Sequence, residues 1–425
     1  MKRPEIPPDV FIFSTNQPMK KYYRSYLNNF RGLSREIWLL SFVTFINRAG
    51  AMVIPFLSLY LENEQGFSLP QIGWIMTSFG AGSFVGTWIG GRLTDSIGFY
   101  KVIVLSLLTG GLGYIGLQFL DGFYALCIGV FFLILMADAY RPAIFVACDA
   151  YCKPENITRG IALLRLAINL GFSFGPLLGG IIITKISYHS LFWIDGLTCI
   201  IAAVLLFILL KPEKLPEGHT PEPVVKEGRS PYRNGLYLLF FVIMILNGML
   251  FVQYFSLMPL FYKMEHSLPE DLIGLLLFLN GVLIVVFEMP LVGWLERIQI
   301  SKTMATFWGV VFLALSFIVL NFSPWIGILV IGMFFMTLGE MIGSPFSNAL
   351  ALSMAPKGRK GSYMAFYTMS WSIAHVVGHN GGMNLVDRFG FQNTWYAFFG
   401  ILTVVALMTL YLLKRLKQTP TPTGY

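Results

Sequence analysis

Residues 171–180 read GFSFGPLLGG. Gly171, Gly175 and Gly179 recur every four residues, so on a helix they leave a stripe without side chains on one face. A bare stripe lets the backbone of another helix approach closely, which is how small residues act in membrane helices. Pro176 lies inside the same stretch and should bend the helix. The segment therefore predicts a bent, tightly packed helix in apolar surroundings.

The composition of the whole chain supports those surroundings. The 425 residues are 56% hydrophobic and 12% charged, with a mean hydropathy of +0.67. Soluble domains carry about 25% charged residues, so the chain is expected to be all-α and integral to a membrane. One crossing needs roughly 20 apolar residues. Twelve candidate spans meet this length, near 36–61, 70–92, 101–120, 123–149, 158–183, 190–210, 235–262, 271–294, 303–322, 324–352, 361–386 and 393–413.

The basic residues indicate the orientation. If the N-terminus is cytoplasmic, the tails and cytoplasmic loops hold 24 of the 30 Lys and Arg. This bias follows the positive-inside rule, so the net charge of +8 reports topology and does not predict a nucleic-acid partner. We expect both termini in the cytoplasm, an interfacial segment at 1–34 in contact with membrane lipids, and a cytoplasmic tail at 415–425. A bacterial inner membrane is the expected location.

The chain divides into two similar halves. Residues 211–233 hold five prolines and mixed charge, which is typical of a linker. It separates two six-helix bundles, 35–210 and 234–414. YLENEQGFSLPQIG (60–73) recurs as YKMEHSLPEDLIG (262–274), each before the second span of its half. Two parallel six-helix repeats, with the site where they meet, are typical of secondary transporters.

Two motifs carry a family resemblance. GRLTDSIG (91–98) resembles the loop signature of the major facilitator superfamily, and GFSFGPLLGG resembles the antiporter motif of its drug:proton antiporters. Basic residues that the family often places in and after the loop are replaced here by Ser96 and Phe99, and Val130 stands near where an arginine is expected. The resemblance implies the major facilitator fold and a set of residues that govern conformation: Gly91, Asp95, Gly98, Asp149, Gly171, Gly175, Pro176, Gly179 and Gly180.

Charged residues inside the spans are the candidates for coupling. Residues 133–145 read LILMADAYRPAIF, with Asp138 and Arg141 three apart in the fourth span. A charge at this depth costs a few kcal/mol, so intramembrane charges usually serve function. Aligning Pro142 with Pro345 puts Glu340 one residue from the position equivalent to Asp138. We predict that Asp138 and Glu340 exchange protons and that Arg48, Arg141 and Arg165 oppose them in a central cavity. Static salt bridges that orient the helices are the alternative.

The eleventh span predicts the wall of a substrate cavity. Its polar and aromatic residues recur every four positions, and aromatic walls suit planar or cationic solutes. An aromatic packing face is the alternative. The spacing of two histidines also fits a metal site, but no carboxylate or cysteine lies nearby, so we predict no metal. With two amides from the first half, the predicted lining is Asn47, Asn169, Tyr363, Tyr367, Trp371, His375 and His379. Glu288 is expected to serve packing or locking.

These features predict a monomeric transporter without cofactor. No nucleotide-binding loop, nucleophile elbow or zinc signature occurs, so no enzymatic activity is expected. The leading hypothesis is proton-coupled efflux of hydrophobic or cationic small molecules. The alternative is proton-coupled import of peptides or other small solutes, because Asn47-Arg48 in the first span is reminiscent of peptide transporters.

Overall fold

The computed structural model describes residues 33–152, 157–212, 230–356 and 360–418. Most of the predicted N-terminal segment, most of the linker and the last residues of the tail lie outside these ranges. The described part is helical and contains no strand.

The helices form two successive sets. The first half contains Arg35–Ala49, Val53–Asn63, Leu69–Ile97, Phe99–Leu117, Phe123–Asp138, Tyr140–Tyr151, Ile157–Lys185 and His189–Leu209. The second contains Gly235–Phe251, Gln253–Met264, Glu270–Arg297, Lys302–Ile318, Gly327–Ser353 and Lys360–Gln418. Short 3₁₀ turns lie at Pro231–Arg233 and Val319–Asn321. Spans 1, 4 and 7 each consist of two helices joined at a break.

These helices make twelve crossings. Ten helical segments of the described part, which contain eleven of these crossings, are long and apolar enough to cross a membrane. The last segment, Ser362–Gln418, contains spans 11 and 12. Gly390, with a φ of 74°, separates the two helices. Leu69–Ile97, with 29 residues, has the length of a span but carries more polar residues. Each crossing coincides with one of the predicted spans, and the all-α membrane fold is confirmed.

Local sequence signals set where helices begin. Ser34 accepts a hydrogen bond from the backbone N of Ile37 at the start of span 1. Asn234 caps span 7 in the same way, and Ser301 caps span 9. Side-chain oxygens at these positions satisfy backbone donors that a helix start leaves open.

Glycines set how closely the helices of one half pack. Gly82, Gly86 and Gly90 of span 2 face the backbone of span 4, where an added Cβ would overlap the carbonyl oxygens of Phe131 and Leu135. Spans 2 and 4 therefore lie in backbone contact. The same spacing lets span 5 receive span 1, as described below.

The two halves meet along spans 2 and 11 and along spans 5 and 8. Thr77 donates to the backbone oxygen of Val376 at 2.9 Å. A Cβ on Gly274 would overlap the carbonyl oxygen of Pro176. These contacts lie towards the end of the bundle where span 1 ends and span 2 begins, which we call the closed end.

A polar cluster joins the halves at the closed end. Tyr188 donates to Glu270 at 2.9 Å and accepts from Asn63 at 3.1 Å, and Lys263 pairs with Glu270 at 2.8 Å. Towards the opposite end, which carries the linker, the side chains of Arg141 and Arg165 remain 48% and 56% exposed. The space between the halves therefore opens towards the linker end.

Candidate functional site

Asp138 lies at the break of span 4, between buried packing and the central space. It is 6% exposed and accepts a short hydrogen bond from Ser83 of span 2. Its other oxygen lies 3.0 Å from Nε of Arg141, whose side chain is half exposed. The carboxylate is thus held on one side by the helix bundle and on the other by a cation open to the cavity.

Arg48 lies beside the break of span 1, among aromatic rings. Its guanidinium carbon is 5.1 Å from the ring centre of Phe172 and 5.7 Å from that of Tyr140. Its Nε is buried without a hydrogen-bond partner, and within the described residues it has no carboxylate at ion-pair distance. Cation–π contact stabilises such a guanidinium without neutralising it. Arg48 therefore remains a positive charge in the first half.

Asp195 of span 6 is a buried acid that the sequence analysis did not single out. It is 1% exposed, and its carboxylate accepts from the backbone N of Val53 at 3.2 Å and from that of Met52. It thus caps the second helix of span 1 just beyond Arg48. The sequence does contain a signal for Asp195, because an acidic residue within an apolar span is unusual, as it is for Asp138.

The glycine stripe of span 5 receives the break of span 1. A Cβ on Gly171 would overlap that of Arg48, one on Gly175 would lie 3.0 Å from the Ala51 oxygen, and one on Gly179 would lie 3.2 Å from the Met52 Cβ. Gly180, on another face, meets the backbone of Glu270 in span 8. The predicted bare stripe thus holds the segment that presents Arg48.

Arg165 joins the two halves. Its guanidinium lies 3.5 Å from Glu288 of span 8, whose side chain is 16% exposed. Arg165 therefore pairs with Glu288, whereas the sequence analysis had expected it to oppose Asp138 and Glu340. The two amides expected in the cavity, Asn47 and Asn169, are half-buried. Asn47 donates to the sulfur of Cys199 at 3.2 Å, so its side chain is turned towards span 6. Asn169 accepts from Ser173 through its backbone oxygen at 2.7 Å.

Glu340 lines a small separate cavity of about 20 Å³ in the second half. Nδ2 of Asn280 donates to its carboxylate at 3.1 Å. Trp371 and Phe251 form an aromatic wall, and Asn247 contributes a buried Oδ1 without a partner. None of the thirteen described residues that line this space is basic. Glu340 and Asp138 therefore have different surroundings, although the alignment of the two halves placed Glu340 one residue from the position equivalent to Asp138.

The polar stripe of span 11 divides into packing and lining residues. Tyr363 is fully buried against Tyr237, at 4.3 Å between ring centres, and its hydroxyl accepts from Asn234. Tyr367 is 4% exposed and shares a hydrogen bond of 2.9 Å with Ser347. These two tyrosines pack helices together, contrary to their expected place on the cavity wall. The winding of the stripe around the helix is the reason.

The remaining residues of that stripe reach the interior of the molecule. Trp371 lines the Glu340 cavity. His375 and His379 lie where spans 2, 7 and 11 meet, with Nδ1 of His375 3.2 Å from Nε2 of His379. His379 is 1% exposed, so it lies within the closed end and does not line an open cavity.

The loop signature lies partly within a helix. Asp95, expected in a short loop, belongs to the last turn of Leu69–Ile97. Gly98 ends that helix with a φ of 87°, which a residue with a Cβ rarely adopts. Gly91 has open space where a Cβ would be. The side chains of Asp95 and Asp149 lie outside the part that the structure describes.

Comparison with known families agrees with this architecture. The model of the Major Facilitator Superfamily matches residues 37–379, and a second match covers 270–424. The chain belongs to the major facilitator superfamily. Members of this superfamily are transporters, so the protein is a membrane transporter and not an enzyme.

Curated relatives are distant but nearly full-length. The uncharacterized MFS-type transporter YttB of Bacillus subtilis is 23% identical over 91% of this chain and 97% of its own. The multidrug resistance protein MdtH of Photorhabdus laumondii is 22% identical over 86% and 90%, respectively. A Na(+), Li(+), K(+)/H(+) antiporter of Planococcus maritimus is 22% identical over 78% and 85%.

Solved structures share the fold. A peptide transporter of the POT family in complex with sulfate superimposes with a TM-score of 0.77 at 18% identity, covering 92% of this chain and 96% of that one. A bacterial homologue of the human lysosomal transporter Spinster, in an inward-facing conformation, gives a TM-score of 0.75 at 12% identity over 94% and 99%. At these identities the likeness concerns the fold alone.

Proposed function

We propose that this major facilitator transporter exports hydrophobic cations in exchange for protons. The observation that carries the proposal is Glu340, a carboxylate beside aromatic rings in a cavity with no described basic lining residue. A carboxylate in such a place is stable only when a proton or another cation neutralises it. A proton and a cationic substrate therefore compete for Glu340, and this competition is the basis of antiport.

Asp138 supplies the second protonation site. While it is ionised, Arg141 holds it at 3.0 Å. Once it is protonated, the ion pair is lost, and the unpaired charge of Arg141 repels a cation in the space between the two halves. Protonation from outside would in this way favour release of the substrate there. Distant relatives named as a multidrug resistance protein and as a cation/proton antiporter agree with export.

The proposal includes an orientation. We assign the closed end to the outside and the linker end to the cytoplasm, because 24 of the 30 basic residues then lie on the cytoplasmic side. Both termini are then cytoplasmic, in the inner membrane of a bacterium, and the protein acts as a monomer. The described conformation is accordingly open to the inside, where substrate enters.

Arg48 favours a second candidate function. A guanidinium without a carboxylate partner suits a solute that carries its own carboxylate, such as a peptide, and import with protons would then be the direction. The two candidates differ in which side chain meets the charge of the solute. Export depends on Glu340, whereas import of an acid depends on Arg48.

Transport by purified protein in liposomes tests the choice. Ethidium, a hydrophobic cation, is the probe, and a pH gradient is the driving force. We expect Glu340→Gln to lower gradient-driven ethidium transport by about a hundredfold, the scale of a lost proton-transfer group. Glu296→Gln, the same change at an exposed position of span 8, is the control and should transport as the parent does.

The result decides between the candidates. Equal ethidium transport by Glu340→Gln and the parent would contradict export by competition at Glu340. Proton-driven uptake of a dipeptide that is lost in Arg48→Gln and kept in Glu340→Gln would establish the import function in its place.

A further inference from the structure

His375 and His379 form the middle of a hydrogen-bonded chain in the closed end. Nδ1 of His375 lies 3.2 Å from Nε2 of His379, and Nδ1 of His379 lies 2.8 Å from the hydroxyl of Ser256 in span 7. Imidazole can donate from one nitrogen and accept at the other, so a chain of this kind can pass a proton by switching tautomers. Both rings are on successive turns of span 11.

The chain belongs to the second half and lies against span 2 of the first half, at the contact between the halves in the closed end, which we call the seal. Phe79 of span 2 packs against both imidazoles, with ring centres 6.0 Å and 6.3 Å apart. A Cβ on Gly80 would lie 2.8 Å from the backbone of His375, so span 2 lies directly against this turn. Opening of the closed end must pull span 2 away and expose both rings to water.

The cavity end of the chain lies near Asp138. Ser83, which holds Asp138, is three residues from Gly80 on span 2, so the acid and the histidine contact neighbouring turns of one helix. Among the described residues, span 7 contributes the Ser256 hydroxyl to the surroundings of the pair and span 2 contributes the ring of Phe79.

We propose that His375 and His379 carry protons from the outer side to Asp138 and that the seal closes over them only in the neutral state. When the closed end is open, His379 takes a proton from outside water and passes it to His375. The N–H bond of His375 then breaks, an O–H bond forms on Asp138 through cavity water, and the total charge is unchanged. A proton left on the pair would be a buried charge without a counter-ion in the closed end, which opposes closure.

This inference rests on the proposed proton coupling and adds the route that the proton takes. It also explains how leak is limited. The pair lies at the seal, but in the closed state it holds no excess charge to pass inwards. The two histidines act through Asp138 and do not contact the substrate, so they are positioning and transfer groups for protons.

Liposome transport of ethidium by His375→Gln and His379→Gln tests the route. Glutamine keeps a hydrogen-bonding amide, but this amide does not bind an additional proton near neutral pH. We expect gradient-driven transport to fall by about tenfold or more, while ethidium exchange at equal pH stays within about twofold of the parent. His266→Gln, at the loop beyond span 7, is the matched control and should leave both rates unchanged.

A second measurement needs no substrate. Spin labels on cysteines at the exposed positions Asp121 and Gln392 report opening of the closed end, in a chain whose four native cysteines are replaced. From about pH 8 to about pH 5 the parent should shift towards the longer distance as imidazole protonates. The double variant His375→Gln/His379→Gln should lose most of this shift.

The outcomes separate the two proposals. If the parent itself ignores the pH gradient, the proposed function fails, and the spin-label titration still decides the role of the histidines. If the parent is coupled and the histidine variants are equally coupled, the transfer route is wrong. Parallel loss of driven transport and exchange would also overturn it, because that pattern means a packing role.

Discussion

At the scale of single residues, the ionisable groups of the membrane interior differ in how they are neutralised. Asp138 and Glu288 have arginine partners, whereas Glu340 accepts from an amide. Asp195 is fully buried and accepts from backbone N–H groups. A buried carboxylate that caps a helix serves structure, and one that faces a cavity without a cation is available for exchange.

Asp195 should therefore matter for stability. Asp195→Ala removes the acceptor for the N-terminus of Val53–Asn63 and leaves buried N–H groups unpaired, at a cost of about 2 kcal/mol. We expect a lower melting temperature in detergent. Asp195→Asn, which keeps an acceptor oxygen, should lose less, and Asp121→Asn, an exposed change, should have no effect. Equal melting of Asp195→Ala and Asp121→Asn would refute the capping role.

At the scale of the helix, breaks and bare faces occur together. Span 1 is interrupted between Ala49 and Val53, and the glycine face of span 5 receives that interruption. The break leaves backbone groups without helical partners, so it requires a neighbour that can approach closely. Glycine at 171, 175 and 179 permits that approach and thereby sets the position of Arg48.

A bulky residue on this face should displace span 1. In Gly175→Leu the side chain would meet the backbone oxygens of Ala51 and Arg48, and overpacking of this kind costs about 1–3 kcal/mol. We expect ethidium transport to be lost or to become independent of the pH gradient. Gly116→Leu, on span 3 with nothing near its Cβ, is the matched control. Full coupled transport by Gly175→Leu would show that the face is not in contact with span 1 in the working protein.

At the scale of the whole molecule, a polar cluster links the two halves at the closed end. The cluster of Asn63, Tyr188, Lys263 and Glu270 links the ends of spans 1 and 7 to the start of span 8. Transporters of this architecture work by moving one half against the other around a fixed site. Loss of contacts that exist only in the closed arrangement should therefore favour its opening.

Glu270→Gln tests whether this polar cluster keeps the closed end shut. The change removes the charge that holds Lys263 at 2.8 Å, and a partly exposed ion pair contributes up to about 1 kcal/mol, so the open fraction should rise by about fivefold. A cysteine at Met383, buried in the seal against Gly73, should react faster with maleimide in this variant. Glu265→Gln, exposed at the end of span 7, is the control. Unchanged labelling of Met383→Cys would mean that this cluster does not hold the seal.

The sequence by itself determined the fold. Runs of apolar residues set the twelve crossings, glycine spacing indicated close helix contacts, and the repeat around 60–73 and 262–274 indicated two similar halves. These features are local or periodic, so they can be read along one chain. The pair of Asp138 and Arg141 was also accessible in this way, because residues three apart on a helix are neighbours.

Only the tertiary structure decided the partners of the other charged and polar groups. Arg165 meets Glu288 across the two halves, Asp195 reaches back to Val53, and His379 meets Ser256 of another span. Tyr363 and Tyr367 turn into packing although they share the stripe of Trp371. The physical reason is that membrane helices pair across long sequence separations. A charge in an apolar span signals that a partner or cavity must exist, but which helix supplies it depends on how the helices pack.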